Sequence, residues 1–321
     1  MNKVALIIIY NHKYDKNIEV LERIYRDRFS NIYHLVPFYK GNRPNVIPVY
    51  ENSYYFQGFL AQGFRSFFKE AYDHYFFIAD DLILNPIIDE NNYTKHLKLN
   101  KNTCFLPGFI TLHDKNSLWT RIHSAFDFNI DIQGLEVKNE LPDYNDAMLA
   151  FNKFGLEIKP INFDLIWRKP KSLRKWIKRI ITDKTYLFRF FSNQLKSKNY
   201  NLSYPMVASY SDIFVVSSDS IKQFCQHCGV FAATNLFVEI GLPTSIVLSA
   251  QEIVTEKDLE FQGKALWPDG QVRLACVSEL AKDDYKELEK FNYNLKELLE
   301  TFPENYLYLH PIKLSKWKTE L

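Results

Sequence analysis

Apolar residues run unbroken through positions 4–9 and then recur three and four apart at Ile18, Leu21, Ile24 and Tyr25. They close up again at 32–36. The change of period, from continuous to helical and back, predicts a buried strand, an amphipathic helix and a second strand. A longer stripe of Tyr55, Phe56, Phe59, Leu60, Phe64, Phe67, Phe68, Ala71 and Tyr72 predicts a helix feeding a third apolar run at 75–79. Such alternation predicts an α/β fold, a parallel sheet with helices on its faces. Beyond residue 100 the pattern is less regular. Residues 104–112 read as extended, and 143–154 as a helix with Tyr144, Ala147, Met148 and Phe151 inward and Gly155 as its stop. Residues 213–216 read as a short strand, 220–239 as a helix broken at Gly229, and 246–248 as a further apolar stretch after Pro243.

The third apolar run delivers two adjacent acids, Asp80 and Asp81, before Leu82, Ile83 and Leu84 resume it. Open α/β sheets place ligands at the carboxyl ends of their strands. Two carboxylates there repel unless a cation or a proton compensates, and a hard ion such as Mg2+ or Mn2+ suits oxygen ligands. The plainer alternative is that Asp81 caps the next turn.

Composition narrows the class only a little. A chain of 321 residues with 46% hydrophobic and 24% charged content is globular. Net charge is +2, which gives no reason to expect a nucleic-acid partner. Residues 1–10 read as a first strand and not as a signal peptide, and no window suits a membrane span, so a cytoplasmic protein is expected. Among four cysteines only Cys225 and Cys228 are close, with His227 between them. A single C-x-x-C pair is read as buried reduced thiols, with a metal or redox pair as the alternative.

One local patch departs from this neutrality. The segment 167–191 holds seven basic residues between Arg168 and Arg179 and no acid among them, while Leu173, Trp176, Ile177, Ile180, Leu187, Phe188 and Phe191 keep helical spacing. It reads as a basic amphipathic helix, suited either to an anionic membrane surface or to a core-packed helix with a solvated basic face.

A β-α-β-α-β half, an acidic pair ending a strand near position 80 and a less regular second half together resemble the GT-A glycosyltransferases, the nucleotide-sugar-dependent class with a D-x-D-type motif. Here the motif is Ala79-Asp80-Asp81, a departure from strict D-x-D. The resemblance implies a Rossmann-like, mostly parallel sheet with helices on both faces, a donor half at 1–115, an irregular acceptor half of the same domain at 116–321, and a Mn2+ or Mg2+ cofactor. It assigns Asp81 to the metal and Asp80 to the metal or the donor ribose. In several such families a C-terminal His completes the metal shell and a following Lys contacts the diphosphate. His310 and Lys313, after the apolar run 306–309, resemble that pair, and His310 before Pro311 also has a purely structural reading. By the same resemblance Tyr10, Asn11 and His12, together with Tyr55 and Gln57, face the donor, Arg43 reaches a phosphate, and Trp267 offers a platform for a sugar ring.

An inverting transfer also needs a carboxylate base. Glu239, inside the apolar run 236–240, and Asp212, where a loop enters a strand, are the candidates, Glu239 being placed first, and a retaining mechanism, the alternative, uses neither. The expected function is transfer of a sugar to a glycan or lipid-linked acceptor during surface-polysaccharide assembly, in the cytoplasm and peripheral to the inner face of the membrane. A nucleotidyltransferase is the first rival, disfavoured because residues 10–17 lack the glycines of a phosphate loop. The second is a non-catalytic carbohydrate-binding or assembly protein.

Overall fold

The computed structural model describes residues 3–113, 123–162, 173–182, 199–266 and 285–321. Its first strand, β1 (Val4–Ile9), is buried at every position. Parallel to it on one side lies β2 (Ile32–Pro37), followed outward by β3 (Val46–Val49); on the other side lies β4 (His74–Ala79). The short β5 (Ile83–Leu84) continues from β4, and β6 (Thr103–Phe105) and β7 (Ile110–Thr111) follow. Outside the main sheet, β7 pairs with β10 (Val207–Ala208), and β8 (Ile161–Asn162) pairs with β9 (Asn199–Tyr200). Later in the chain come β11 (Ile213–Ser217), β12 (Glu252–Val254), β13 (Gln262–Ala265) and β14 (Tyr306–His310).

The main sheet has seven strands in the order β12-β6-β11-β4-β1-β2-β3. Only β11 runs against its neighbours, so the sheet is mixed but mostly parallel. Strand residues alternate between its two faces. Leu6, Ile8, Phe76 and Ile78 face the layer holding the helix Lys16–Tyr25, whereas Ala5, Ile7 and Phe77 face the helices Gln57–Phe67 and Ile221–Ala233. The α/β expectation of a mostly parallel sheet with helices on its faces is met. Because β11 and β12 complete a sheet begun by residues 4–79, the two halves of the chain share one core. A third apolar cluster, including Phe128, Phe151, Tyr204 and Phe231, lies under the second half. No helix among the described residues is long and apolar enough to cross a membrane.

Four local expectations change. Strand β3 was hidden by Pro48, which removes a ladder donor and argues against an interior strand; it fits because β3 is the sheet's edge and Pro48 is exposed there. The helix expected over 55–72 spans only Gln57–Phe67, since Phe68 adopts an extended backbone and its ring stacks on Tyr75 at 6.2 Å and 11°. Gly229 does not break its helix. A methyl there would sit 3.1 Å from the Ala61 side chain, so the glycine lets two helices approach, and the break falls at Asn235 with φ +56. Pro243 lies within the helix Val238–Ser249, which contains the stretch 246–248.

Elsewhere the reading holds. The helix Tyr144–Lys153 is capped by Asp143 and buries Ala147 and Phe151, and Gly155 follows with φ +68, although Tyr144 is exposed.

Candidate functional site

Strand polarity gathers the acids. Strands β1 and β4 are parallel and adjacent, so their carboxyl ends share one sheet edge, where Asp80 N–H donates to the Ile9 carbonyl at 2.9 Å. Because β11 is antiparallel to β4, its beginning lies at that same edge, and Ala79 N–H donates to the Asp212 carbonyl at 2.8 Å. A second, three-stranded sheet in the order β13-β14-β5 brings in the C-terminal residues. Its register pairs Tyr308 with Leu84 and Leu309 with Ile83, and Ile312 N–H donates to the Asp81 carbonyl at 2.6 Å. The strand that starts just after Asp81 therefore zips against the strand that ends in His310.

The side chains meet accordingly. His310 Nε2 lies 3.2 Å from Asp81 Oδ1 and 3.8 Å from Asp212 Oδ2, and Lys313 Nζ pairs with Asp81 Oδ2. Asp80, Asp81 and His310 are buried, whereas the Lys313 side chain is half exposed. Asn17, in the first turn of the helix after β1, donates to Asp80 Oδ2 at 3.1 Å, and the Asn11 amide also bonds that carboxyl. The Tyr210 ring stacks on Tyr308 at 5.9 Å and 7° and meets the His310 ring edge-on at 5.7 Å, which fixes the plane of the imidazole.

The electrostatics follow from this burial. Asp80 is pushed up to about 7, first by loss of solvent and then by the charge of Asp81. For Asp81 burial opposes ionisation, but His310 and Lys313 outweigh it and hold the carboxyl well below the usual carboxylate range. Asp212 is raised, chiefly by burial and next by Asp81, with His310 working the other way. Burial alone would lower His310, yet Asp81 and Asp212 raise it; Lys313 is likewise raised against its burial by Asp81. Ionising Asp80 puts a second buried negative charge beside Asp81, a shortfall of positive charge at the pair.

That shortfall bears on a metal. Among the described residues no three His, Cys, Asp or Glu side chains stand arranged to hold an ion, and His310 and Lys313 face the two Asp81 oxygens. The donor chemistry nonetheless fits one. The cluster is rich in carboxylate oxygens, includes an imidazole nitrogen, and leaves the buried Asp81 Oδ1 near His310 without hydrogen-bond geometry. Comparison of the chain with protein-family models, with curated proteins and with solved structures gives no match.

The remaining candidates separate. Asp81, Asp80, Asp212, His310 and Lys313 come together, with Asn11 at their margin. The alternative of Asp81 as a helix cap is not what is found, since the chain turns there into β5 and the carboxylate faces His310 and Lys313. Glu239 stands half-buried in the first turn of the helix Val238–Ser249, and its carbonyl accepts from Ser209 N–H at 2.9 Å, tying it to the segment that leads to Asp212. Tyr55 is half-buried at the end of the turn Ser53–Tyr55. His12 is exposed against Tyr14, and Arg43 pairs at the surface with Glu19 at 3.0 Å. Trp267 lies outside the described residues.

Two donor expectations are corrected. Tyr10 is buried in the layer of the helix Lys16–Tyr25, where its hydroxyl bonds His34 Nδ1 at 3.0 Å and His34 Nε2 lies 2.9 Å from Glu22. Gln57 is buried between helices, and its amide donates to the Leu236 carbonyl at 2.7 Å. Gln57→Ala is therefore expected to destabilise the fold by about 2 kcal/mol in urea unfolding, by leaving a buried carbonyl unmet, while ligand affinity stays unchanged.

Cys225 and Cys228 are buried free thiols raised by burial, and His227 is lowered to about 4 by the same cause. Tyr210, Tyr308 and Asn17 were missed. Tyr308 had a signal, since it lies two residues before His310 and so on the same face of a strand.

Proposed function

We propose that the chain is a metal-dependent glycosyltransferase of GT-A type, moving a sugar from a nucleotide-sugar donor to a glycan or lipid-linked acceptor in surface-polysaccharide assembly. One observation carries the reading: Asp81, Asp212, His310 and Lys313, from three distant stretches of sequence, converge at the carboxyl edge of a mostly parallel sheet. Asp80, Asp81 and His310 would hold Mn2+ or Mg2+, which supplies neutralisation of negative charge on a diphosphate leaving group.

The chain's own groups do the rest. Lys313, half exposed at the mouth of the cluster, neutralises the departing diphosphate. Asp212 takes the proton of the acceptor hydroxyl, and its raised pKa suits a base that must work near neutrality. Glu239, anchored to the same segment, is the second candidate for that role. Tyr210 and Tyr308 hold the His310 ring in place. Absence of glycine from 10–17, where the chain passes from β1 into a helix, favours this reading over a nucleotidyltransferase.

A thermal-shift panel of nucleotide sugars with and without Mn2+ tests it. A donor at a hundred times its dissociation constant is expected to add about 2.7 kcal/mol of stability, and only with the metal present. If no nucleotide sugar stabilises the protein under either condition, the transferase reading fails.

A further inference from the structure

The segment Leu173–Thr182 is a ten-residue helix that contains Arg174, Lys175, Lys178 and Arg179 and no acid. Ile180 packs against the apolar cluster of Phe128, Phe151, Tyr204 and Phe231, which seats the helix on the body of the protein. Three other apolar side chains remain in solvent, Leu173 at 72%, Ile177 at 48% and Ile181 at 71% exposure. They are spaced four apart and form one stripe. Arg174 and Lys178 come one residue after Leu173 and Ile177, so helical register sets two basic positions beside that stripe.

A helix packed only for stability would turn its aliphatic side chains inward and its charges outward. Here three aliphatic side chains and Arg174 are exposed together. We infer that this helix docks the protein on an anionic lipid surface, Leu173, Ile177 and Ile181 entering the headgroup boundary and the flanking Arg and Lys residues meeting lipid phosphates. Charge complementarity selects the occupant. The whole chain carries only +2, so the attraction is local to this helix, and a nucleic acid would meet the cations but gain nothing from the stripe. The helix is far too short to span a bilayer, so the contact is reversible and weakens with salt. The inference stands independently of sugar transfer.

Co-sedimentation of the full chain with vesicles tests it, comparing pure phosphatidylcholine with phosphatidylcholine containing phosphatidylglycerol at low and high salt. Retention is expected on the anionic vesicles at low salt only. Arg174→Glu with Lys178→Glu should lower partitioning by well over about 25-fold, at about fivefold per basic residue removed. Ile177→Ser with Ile181→Ser should lower it about tenfold or more at unchanged charge. Ile177 and Ile181 are exposed, and an unchanged thermal melt shows that each double variant folds. Equal binding of either folded variant and the parent, equal retention on neutral vesicles, or no retention at low salt overturns the inference. The last result would also be obtained if an acidic protein were the true partner. Because the readout is lipid binding without turnover, failure here leaves the transferase reading intact, and failure of the nucleotide-sugar panel leaves this one intact.

Discussion

Asp81→Asn is expected to reduce metal-dependent sugar transfer by about 10³-fold while the protein stays folded. The side chain keeps its size but loses the charge that faces both His310 and Lys313. Without that charge the imidazole keeps Asp212 as an acidic partner, at 3.8 Å, and the ammonium is free to turn into solvent. The proposed ion loses its most acidic ligand in the same step. Release of nucleoside diphosphate measures turnover, and a urea titration reports the fold. A variant that turns over like the parent would sink the assignment of Asp81. A variant that simply unfolds would mark the cluster as structural.

In the metal-free protein Asp80 is expected to contribute a loss of stability on the order of 4 kcal/mol as pH rises from about 4 to about 7. The sign follows from proton counts. An unfolded aspartate releases its proton near 3.9, whereas folded Asp80 keeps it until about 7, so between those values the native state binds more protons and stability falls as pH increases. Asp81 contributes in the opposite sense at lower pH. Its depressed pKa gives stability that is present above the unfolded value and is lost in acid. His310 adds stability below its unfolded value near 6.5 that disappears once pH passes its raised native value. Melting temperatures across this range, for the parent and for Asp80→Asn, isolate the first effect. The stability of the parent relative to the asparagine variant should fall across this range, since His227, lowered to about 4, and Glu256, raised to about 7, contribute to both profiles alike. Mn2+ should also restore stability to the parent at the alkaline end, because it supplies the missing positive charge. A parent whose stability relative to the variant does not fall between pH 4 and 7 would contradict the burial of an uncompensated Asp80.

The layered sheet was legible because its inner strands are apolar without interruption, and a run such as Val4–Ile9 has no other economical use. Strand β3 was not, because Pro48 carries a local veto that only an edge position lifts. In the site, Asp81, His310 and Lys313 were legible as residue types flanking apolar runs. Their meeting depends on the pairing of β5 with β14, a contact between residues more than two hundred positions apart that no local period encodes. Tyr10 and Gln57 misled for one reason. A polar group at the end of a strand or start of a helix looks available in sequence, and only the packed layers show that His34 and the Leu236 carbonyl already use it. Trp267 and the flanks of the basic helix fall outside the described residues.

The pairing of β5 with β14 also sets a timetable. Asp81 and Lys313 are separated by 232 positions, and closing so long a loop is entropically slow, so their contact is expected to form after the shorter-range strand pairs of β1, β2 and β4. Until then the two acids stand at a sheet edge with neither counter-charge, and a chain still emerging during synthesis has its scaffold before it has its chemistry. The buried charge cluster is thus expected to assemble as a closing event of folding.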